Sequence, residues 1–290
     1  MNTTKWLHKN TTSLSGKVVA ISGSTGGLGQ ALCSHLANLG ASLILLDRNE
    51  NKARRLVDKL KSTHPDLCAD YMPLDLSDMT SVKSVTDSLC EMPPDYIIFN
   101  AGIYHVPRFV CECGYNNIFQ VNFISPYYMA RRLKPYIQSR GGKIVAVSSI
   151  AHNYSKIDTG DIDFSTRKKS SKVYGNSKRF LTFSLYGLFE GESGLSVVHP
   201  GITFTNITSH YPKVIFALIK HPMKVIFMSP KKASLCILRG LFCDCGKNEW
   251  IGPSRFDIWG LPKKTTLKTC SPDEAAQICA LTEEIYDKIK

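Results

Sequence analysis

The N-terminal stretch NTTKWLHKNTTS is polar and has no apolar run of the kind a secretory leader needs. The ten cysteines show no paired framework spacing, so a disulfide-stapled extracellular scaffold is excluded and free thiols in a reducing cytosol are expected. There is no C-x-x-C turn; the close pairs are Cys111-Glu-Cys113 and Cys243-Asp-Cys245, and no metal site is expected from them. No internal repeat and no low-complexity linker divides the chain. No acidic residue lies between Ser193 and Cys243, although Lys213, Lys220, Lys224, Lys231, Lys232 and Arg239 do. About half of the net charge of +12 therefore collects in one segment. No nucleic-acid-binding motif accompanies it, so a nucleic-acid partner is not expected.

What is present is ordinary globular composition. The 290 residues are 43% hydrophobic and 21% charged, enough for one sizeable core. The reading is a polar tail over residues 1–13 followed by a single domain over 14–290, with a loop and helix insertion at about 203–230. Short apolar runs alternate with helical patterns, the mark of β-α-β units. Strands are expected at Lys17 to Ser22, Ser42 to Leu46, Tyr71 to Leu74, Tyr96 to Asn100, Lys143 to Ser148, Leu195 to His199 and weakly near Trp250. Helices are expected at Gly29 to Leu39, Glu50 to Thr63, Met79 to Leu89, Tyr115 to Ile137 and Val173 to Phe189. The fold class is α/β, a doubly wound parallel sheet of about seven strands with helices on both faces.

Two stretches carry chemistry. The first strand runs into Ser22-Gly23-Ser24-Thr25-Gly26-Gly27-Leu28-Gly29 and then into a helix. Glycines there allow a close backbone approach, and free N–H groups at the helix start suit a pyrophosphate. Asp47 ends the second strand 18 residues beyond Gly29, where a carboxylate accepts from ribose hydroxyls and repels a 2′-phosphate. NAD is therefore favoured over NADP, with the adjacent Arg48 as the counter-argument because a guanidinium pairs with phosphate. The second stretch is Ser149 followed by Tyr174-x-x-x-Lys178. On a helix, Tyr174 and Lys178 share a face. A phenol of pKa about 10 is a poor proton carrier at neutral pH, a neighbouring ammonium stabilises its phenolate, and Ser149 can hold a carbonyl oxygen.

Together these residues resemble the short-chain dehydrogenase/reductases, and within them the retinol dehydrogenase branch. The resemblance runs from about Leu14 to Leu261. It rests on the Ser22 to Gly29 motif, Asp75 in LDLSD, Asn100-Ala101-Gly102, Asn122 in QVNF, Ser149, Tyr174-x-x-x-Lys178 and Pro200-Gly201-x-x-x-Thr205. The resemblance implies a Rossmann-like fold and a nicotinamide dinucleotide with its pyrophosphate on Gly23, Gly27 and Gly29. It puts Asp75 and Leu76 beside the adenine, and Asn100 and Gly102 in the cofactor floor. Pro200, Gly201, Thr203 and Thr205 would cradle the nicotinamide amide. Tyr174 would be the general acid or base, Lys178 would hold the nicotinamide ribose and lower the tyrosine pKa, and Asn122 would position a water. Phe99 and Asn176 depart from the family's usual Asn and Ala.

The implied activity is hydride transfer between NAD, or alternatively NADP, and a lipophilic alcohol or carbonyl compound of retinoid, steroid or fatty kind. Two other readings stand beside it: a catalytically silent dinucleotide-binding scaffold, and a module that touches a membrane surface through the basic, apolar residues 211–229. The resemblance also implies a homodimer, paired through the helix carrying Tyr174 and its neighbour Tyr115 to Ile137, with Phe119, Phe123, Tyr127 and Tyr128 as contacts or as plain core.

Overall fold

Apolar runs of four to six residues, bounded by turn formers, become strands here because each is covered on both sides. The computed structural model describes residues 3–202 and 228–290. The strands are β1 (Val18–Ser22), β2 (Ser42–Asp47), β3 (Ala69–Pro73), β4 (Tyr96–Phe99), β5 (Lys143–Val147), β6 (Leu195–Val198), β7 (Glu249–Arg255) and β8 (Trp259–Thr266). They form one sheet in the order β3-β2-β1-β4-β5-β6-β7-β8. Every neighbouring pair is parallel except the antiparallel β7–β8 hairpin. The strand order reverses between β1 and β4, which opens a crevice beyond their C-terminal ends, the place where open α/β sheets bind ligands.

The helices are α1 (Thr3–Asn10), α2 (Gly27–Asn38), α3 (Glu50–Thr63), α4 (Met79–Glu91), α5 (Asn117–Phe119), α6 (Ser125–Ser139), α7 (Ser170–Leu188), α8 (Pro230–Phe242) and α9 (Pro272–Ile289). Helix starts follow local chemistry. The Asn49 side chain accepts from Lys52 N, Asp78 from Thr80 N, and Ser271 from Glu274 N, each satisfying an orphan donor. One face of the sheet packs Val19, Leu43 and Val145 on Leu32, Leu36, Leu56 and Leu235, and the other packs Ala20, Ile97 and Ile144 on Leu133, Phe180 and Ile278.

Helices α8 and α9 are additional to the sequence reading, and three further features differ from it. Residues 3–10, expected as a polar tail, form α1 because Trp6 is buried against the same core as Leu14 and Leu36. Burying a large apolar side chain stabilises by roughly 1.5–3 kcal/mol, enough to fix a two-turn helix on the surface. An eighth strand is present; β8 is a polar edge carrying Pro262, Lys263 and Lys264, residues that protect an edge and weaken the alternating signal. The expected helix Tyr115 to Ile137 is broken into α5, a π turn over Gln120–Ile124 and α6.

The aromatics offered for dimer contact are core. Phe119, Phe123, Tyr127 and Tyr128 are all buried: the first two rings pack on Phe180 of α7, while the Tyr127 hydroxyl donates to Glu283 Oε1 of α9 at 2.9 Å and the Tyr128 ring lies 5.8 Å from Tyr286. Among the described residues no helix is long and apolar enough to cross a membrane. Thr203, Thr205, most of the expected insertion at 203–230 and the basic segment up to residue 227 lie outside the described residues.

Candidate active site

The glycine-rich turn between β1 and α2 is built by close approach. Gly23 has φ +69°, and a Cβ there would stand 2.8 Å from the Ala101 Cα. A Cβ on Gly29 would meet the Gly23 carbonyl oxygen at 2.3 Å, so only glycine lets α2 start this close to the strand end. Asn100 ties the turn to β4: its Nδ2 donates to the Ser22 and Gly23 carbonyls at 3.1 and 2.9 Å, and Ala101 N donates to Ser22 Oγ at 3.1 Å. The Asn100 Oδ1 is buried with no hydrogen-bond partner.

Asp47 is placed differently from a free ribose acceptor. Its carboxylate is buried and receives four donors from the turn: Ser24 N at 3.1 Å, Ser24 Oγ, Thr25 N at 3.3 Å and Thr25 Oγ1 at 2.8 Å. Asp47 thus braces the glycine turn while lining the crevice. Ser24 and Thr25 were not singled out from the sequence, although hydroxyl residues inside such a turn are the available signal. Arg48 is exposed, its Nη1 3.8 Å from Asp75 Oδ2, and Asp75 is held by Ser77 N and Ser77 Oγ at 2.9 and 2.6 Å. The Leu76 carbonyl accepts from Gln120 Nε2 and Ser125 Oγ.

Beyond β5, Ser149 caps a short 3₁₀ turn (Ile150–Asn153), its Oγ accepting from Ala151 N at 3.2 Å, and it lines the same cavity as Tyr174, whose pKa it lowers. Tyr174 and Lys178 share a face of α7, with Lys178 Nζ 5.9 Å from the tyrosine ring centre and donating to the Val147 carbonyl at 2.8 Å. Burial pushes Tyr174 up to about 12 against the Ser149 hydrogen bond, and burial pushes Lys178 down to about 7. Asn122 sits in the π turn, fully buried, its Oδ1 accepting from Ile103 N and its Nδ2 donating to Ile103 O and Ser177 Oγ. Tyr104, which sequence reasoning passed over, stands edge-on to Tyr174 at 5.1 Å.

One cavity of about 940 Å³ runs from Gly23, Gly27, Leu28 and Gly29, past Asn100 and Gly102, to Ser149, Tyr174, Lys178, Pro200 and Gly201, with the buried Asn122 set behind its wall. The donor set fits a dinucleotide: a helix start behind glycines, an unpartnered Asn100 oxygen at the floor, and Gly102, where a Cβ would stand 3.1 Å from Asn122 Oδ1. The outer lining is apolar, with Val106, Pro107, Phe109, Tyr154 and Ile202.

His199 closes the cavity floor, stacked on Trp250 at 5.3 Å, with its Nε2 3.0 Å from the Asp257 carbonyl. Burial holds its pKa at about 4 against an ordinary 6.5. The fold then binds fewer protons than the unfolded chain between those values. Its stability contribution is whole above pH 6.5 and is lost as pH falls through 4, on the order of 3 kcal/mol. Melting temperature should drop steeply across that window and less so in His199→Phe, which keeps the ring stack. An unchanged melting temperature in the wild type would contradict this.

The short chain dehydrogenase family model matches residues 17–160. Polyprenol dehydrogenase of Homo sapiens is 27% identical over 207 residues, covering 67% of this chain and 63% of that protein. Retinol dehydrogenase 14 of Mus musculus is 30% identical over 212 residues, covering 67% and 64%. In both, the match spans less than two thirds of the relative's own length. A crystal structure of an uncharacterized protein from Mycobacterium paratuberculosis superposes with a TM-score of 0.73 at 23% identity, covering 96% of each chain. The chain belongs to the short-chain dehydrogenase family and resembles its retinol dehydrogenase branch.

Proposed function

We propose that the protein is an oxidoreductase that interconverts a lipophilic alcohol and its carbonyl compound with a nicotinamide dinucleotide, NAD in preference to NADP. The observation that carries this reading is the Ser149–Tyr174 hydroxyl pair beside Lys178, inside the same cavity as the glycine turn. A bound dinucleotide would supply the hydride in carbonyl reduction and accept it in alcohol oxidation. The chain's own part is to hold the substrate oxygen between the Ser149 and Tyr174 hydroxyls, carry the proton at Tyr174 Oη, and keep Lys178 Nζ at the cavity wall. Gly23, Gly27, Gly29 and Asn100 would hold the dinucleotide, with Asp75 and Leu76 at its adenine end and Pro200, Gly201, Thr203 and Thr205 at the other. Asn122 secures the Ile103 backbone on both its N–H and carbonyl sides, which places the 101–104 segment against Lys178.

The apolar outer lining favours a hydrocarbon-rich substrate over a sugar, because a sugar's hydroxyls would lose water there without partners. Preference for NAD rests on Asp47: the four Ser24 and Thr25 donors that could meet a 2′-phosphate are spent on its carboxylate, leaving Arg48 alone for that task. The membrane-surface reading rests on residues 211–229, which lie outside the described residues up to 227, and the silent-scaffold reading is separated from the enzyme by turnover. The test is a panel of retinoids, steroids and fatty alcohols with NAD and with NADP, followed by absorbance of the reduced nicotinamide. No turnover with any of them, alongside dinucleotide binding, would leave the scaffold reading.

A further inference from the structure

The Ser149 turn is held in place from the far end of the chain. His152 Nδ1 lies 2.7 Å from the Ser149 carbonyl, and since a carbonyl only accepts, Nδ1 carries the hydrogen. Nε2 then accepts from the Thr269 hydroxyl at 2.8 Å, 117 residues away in sequence. Burial, with the Arg179 charge adding to it, holds the imidazole below its ordinary pKa and keeps it in this neutral form. Arg179 follows Lys178 on α7 and is itself buried. Its Nη1 donates to the His152 carbonyl at 3.0 Å and its Nη2 to the Thr269 carbonyl at 2.8 Å. Its Nε and Nη2 meet both oxygens of Glu274, at 2.8 and 2.6 Å. Glu274 Oε1 also accepts from Ile157 N at 3.3 Å, and the Ser271 cap fixes Glu274 in the first turn of α9.

The 149–157 segment is thus gripped at three points: the Ser149 carbonyl, the His152 carbonyl and the Ile157 amide. On its inner side it touches α7 backbone to backbone, because a Cβ on Gly175 would stand 2.3 Å from the Ala151 carbonyl. Tyr174 is the neighbour of that contact, so any shift of the turn changes the Ser149–Tyr174 distance. Buried ion pairs gain little net stability, which gives a fully satisfied one beside a reactive pair a reason other than stability. Misplacing reacting groups by about 1 Å costs up to about 10²-fold in rate.

Resting on the oxidoreductase reading above, we infer that Thr269, His152, Arg179 and Glu274 are positioning residues through which the C-terminal segment sets Ser149 against Tyr174. The test compares Thr269→Val, which removes the hydroxyl at constant shape, with Thr269→Ser, which keeps it. Valine should lower kcat about fivefold to tenfold, the size expected for one hydrogen bond, with KM for the dinucleotide nearly unchanged and the melting temperature lowered only by what one lost buried hydrogen bond explains. Serine should restore kcat. In a Ser149→Ala background the valine change should cost nothing further, because the effect passes through Ser149. Full kcat in Thr269→Val, or an additive loss in the Ser149→Ala background, would overturn the inference. Amide hydrogen exchange across residues 149–157 reads the same grip without turnover. Faster exchange in Thr269→Val is expected even if no substrate is found, and unchanged protection overturns the network independently of the oxidoreductase reading.

Discussion

Tyr174→Phe should lower turnover by ~10² to 10⁴, the usual contribution of a positioned proton donor, or roughly 3–5 kcal/mol of barrier, while dinucleotide affinity changes little. The change removes one oxygen. The ring keeps its edge contact with Tyr104, and Lys178 keeps its bond to the Val147 carbonyl. Direction matters as well. With burial holding Tyr174 near 12, the phenol is protonated at neutral pH, which is the form that donates to a carbonyl oxygen. Carbonyl reduction should therefore be flat through neutrality. Alcohol oxidation, which needs the phenol to give up that proton first, should accelerate as pH rises. Turnover in the phenylalanine variant within about twofold of wild type, across a range where general acid–base catalysis is worth ~10² or more, would remove the assignment.

The parts of this fold that were legible in the sequence are those where one physical cause acts alone. Buried parallel strands read as unbroken apolar runs, and β1, β2, β5 and β6 are found within a residue of their expected ends. The glycine turn was legible because Gly23 and Gly29 answer to a steric requirement that no other residue meets. What escaped depended on tertiary partners. Residues 3–10 are polar by count, and only the pocket that receives Trp6 makes them a helix. The π turn at Gln120–Ile124 reflects Asn122 reaching the Ile103 backbone, a contact with no sequence period. Helix α9 is a different case: Ser271-Pro272-Asp273-Glu274 is a helix-start pattern that the sequence carries openly and the reading did not assign. Its Glu274 side chain does not close back on the cap but turns to Arg179, so the pattern marks the helix and hides the network.

Asp47→Ala should shift selectivity toward NADP, lowering the ratio of the NADP to the NAD dissociation constant by about tenfold or more, and it should also loosen both cofactors. The two effects have separate causes. In the wild type a 2′-phosphate at the end of β2 faces a carboxylate whose own needs already consume the Ser24 and Thr25 donors. Like-charge juxtaposition in a partly desolvated cleft costs several kcal/mol. Removing the carboxylate lifts that repulsion and frees two N–H and two O–H donors on the turn. Arg48, exposed and only 3.8 Å from Asp75, can then swing onto the phosphate. The loss common to both cofactors comes from the turn itself, since four hydrogen bonds that hold Ser24 and Thr25 in place disappear. Asp47→Asn separates the causes: it keeps an acceptor for the turn and removes the charge, so it should show the selectivity shift with a smaller common loss. Calorimetric titration of both dinucleotides into the three proteins provides the measurement. A wild type that already binds NADP more tightly would make Arg48 the selective residue, with Asp47 left solely as the brace of the glycine turn.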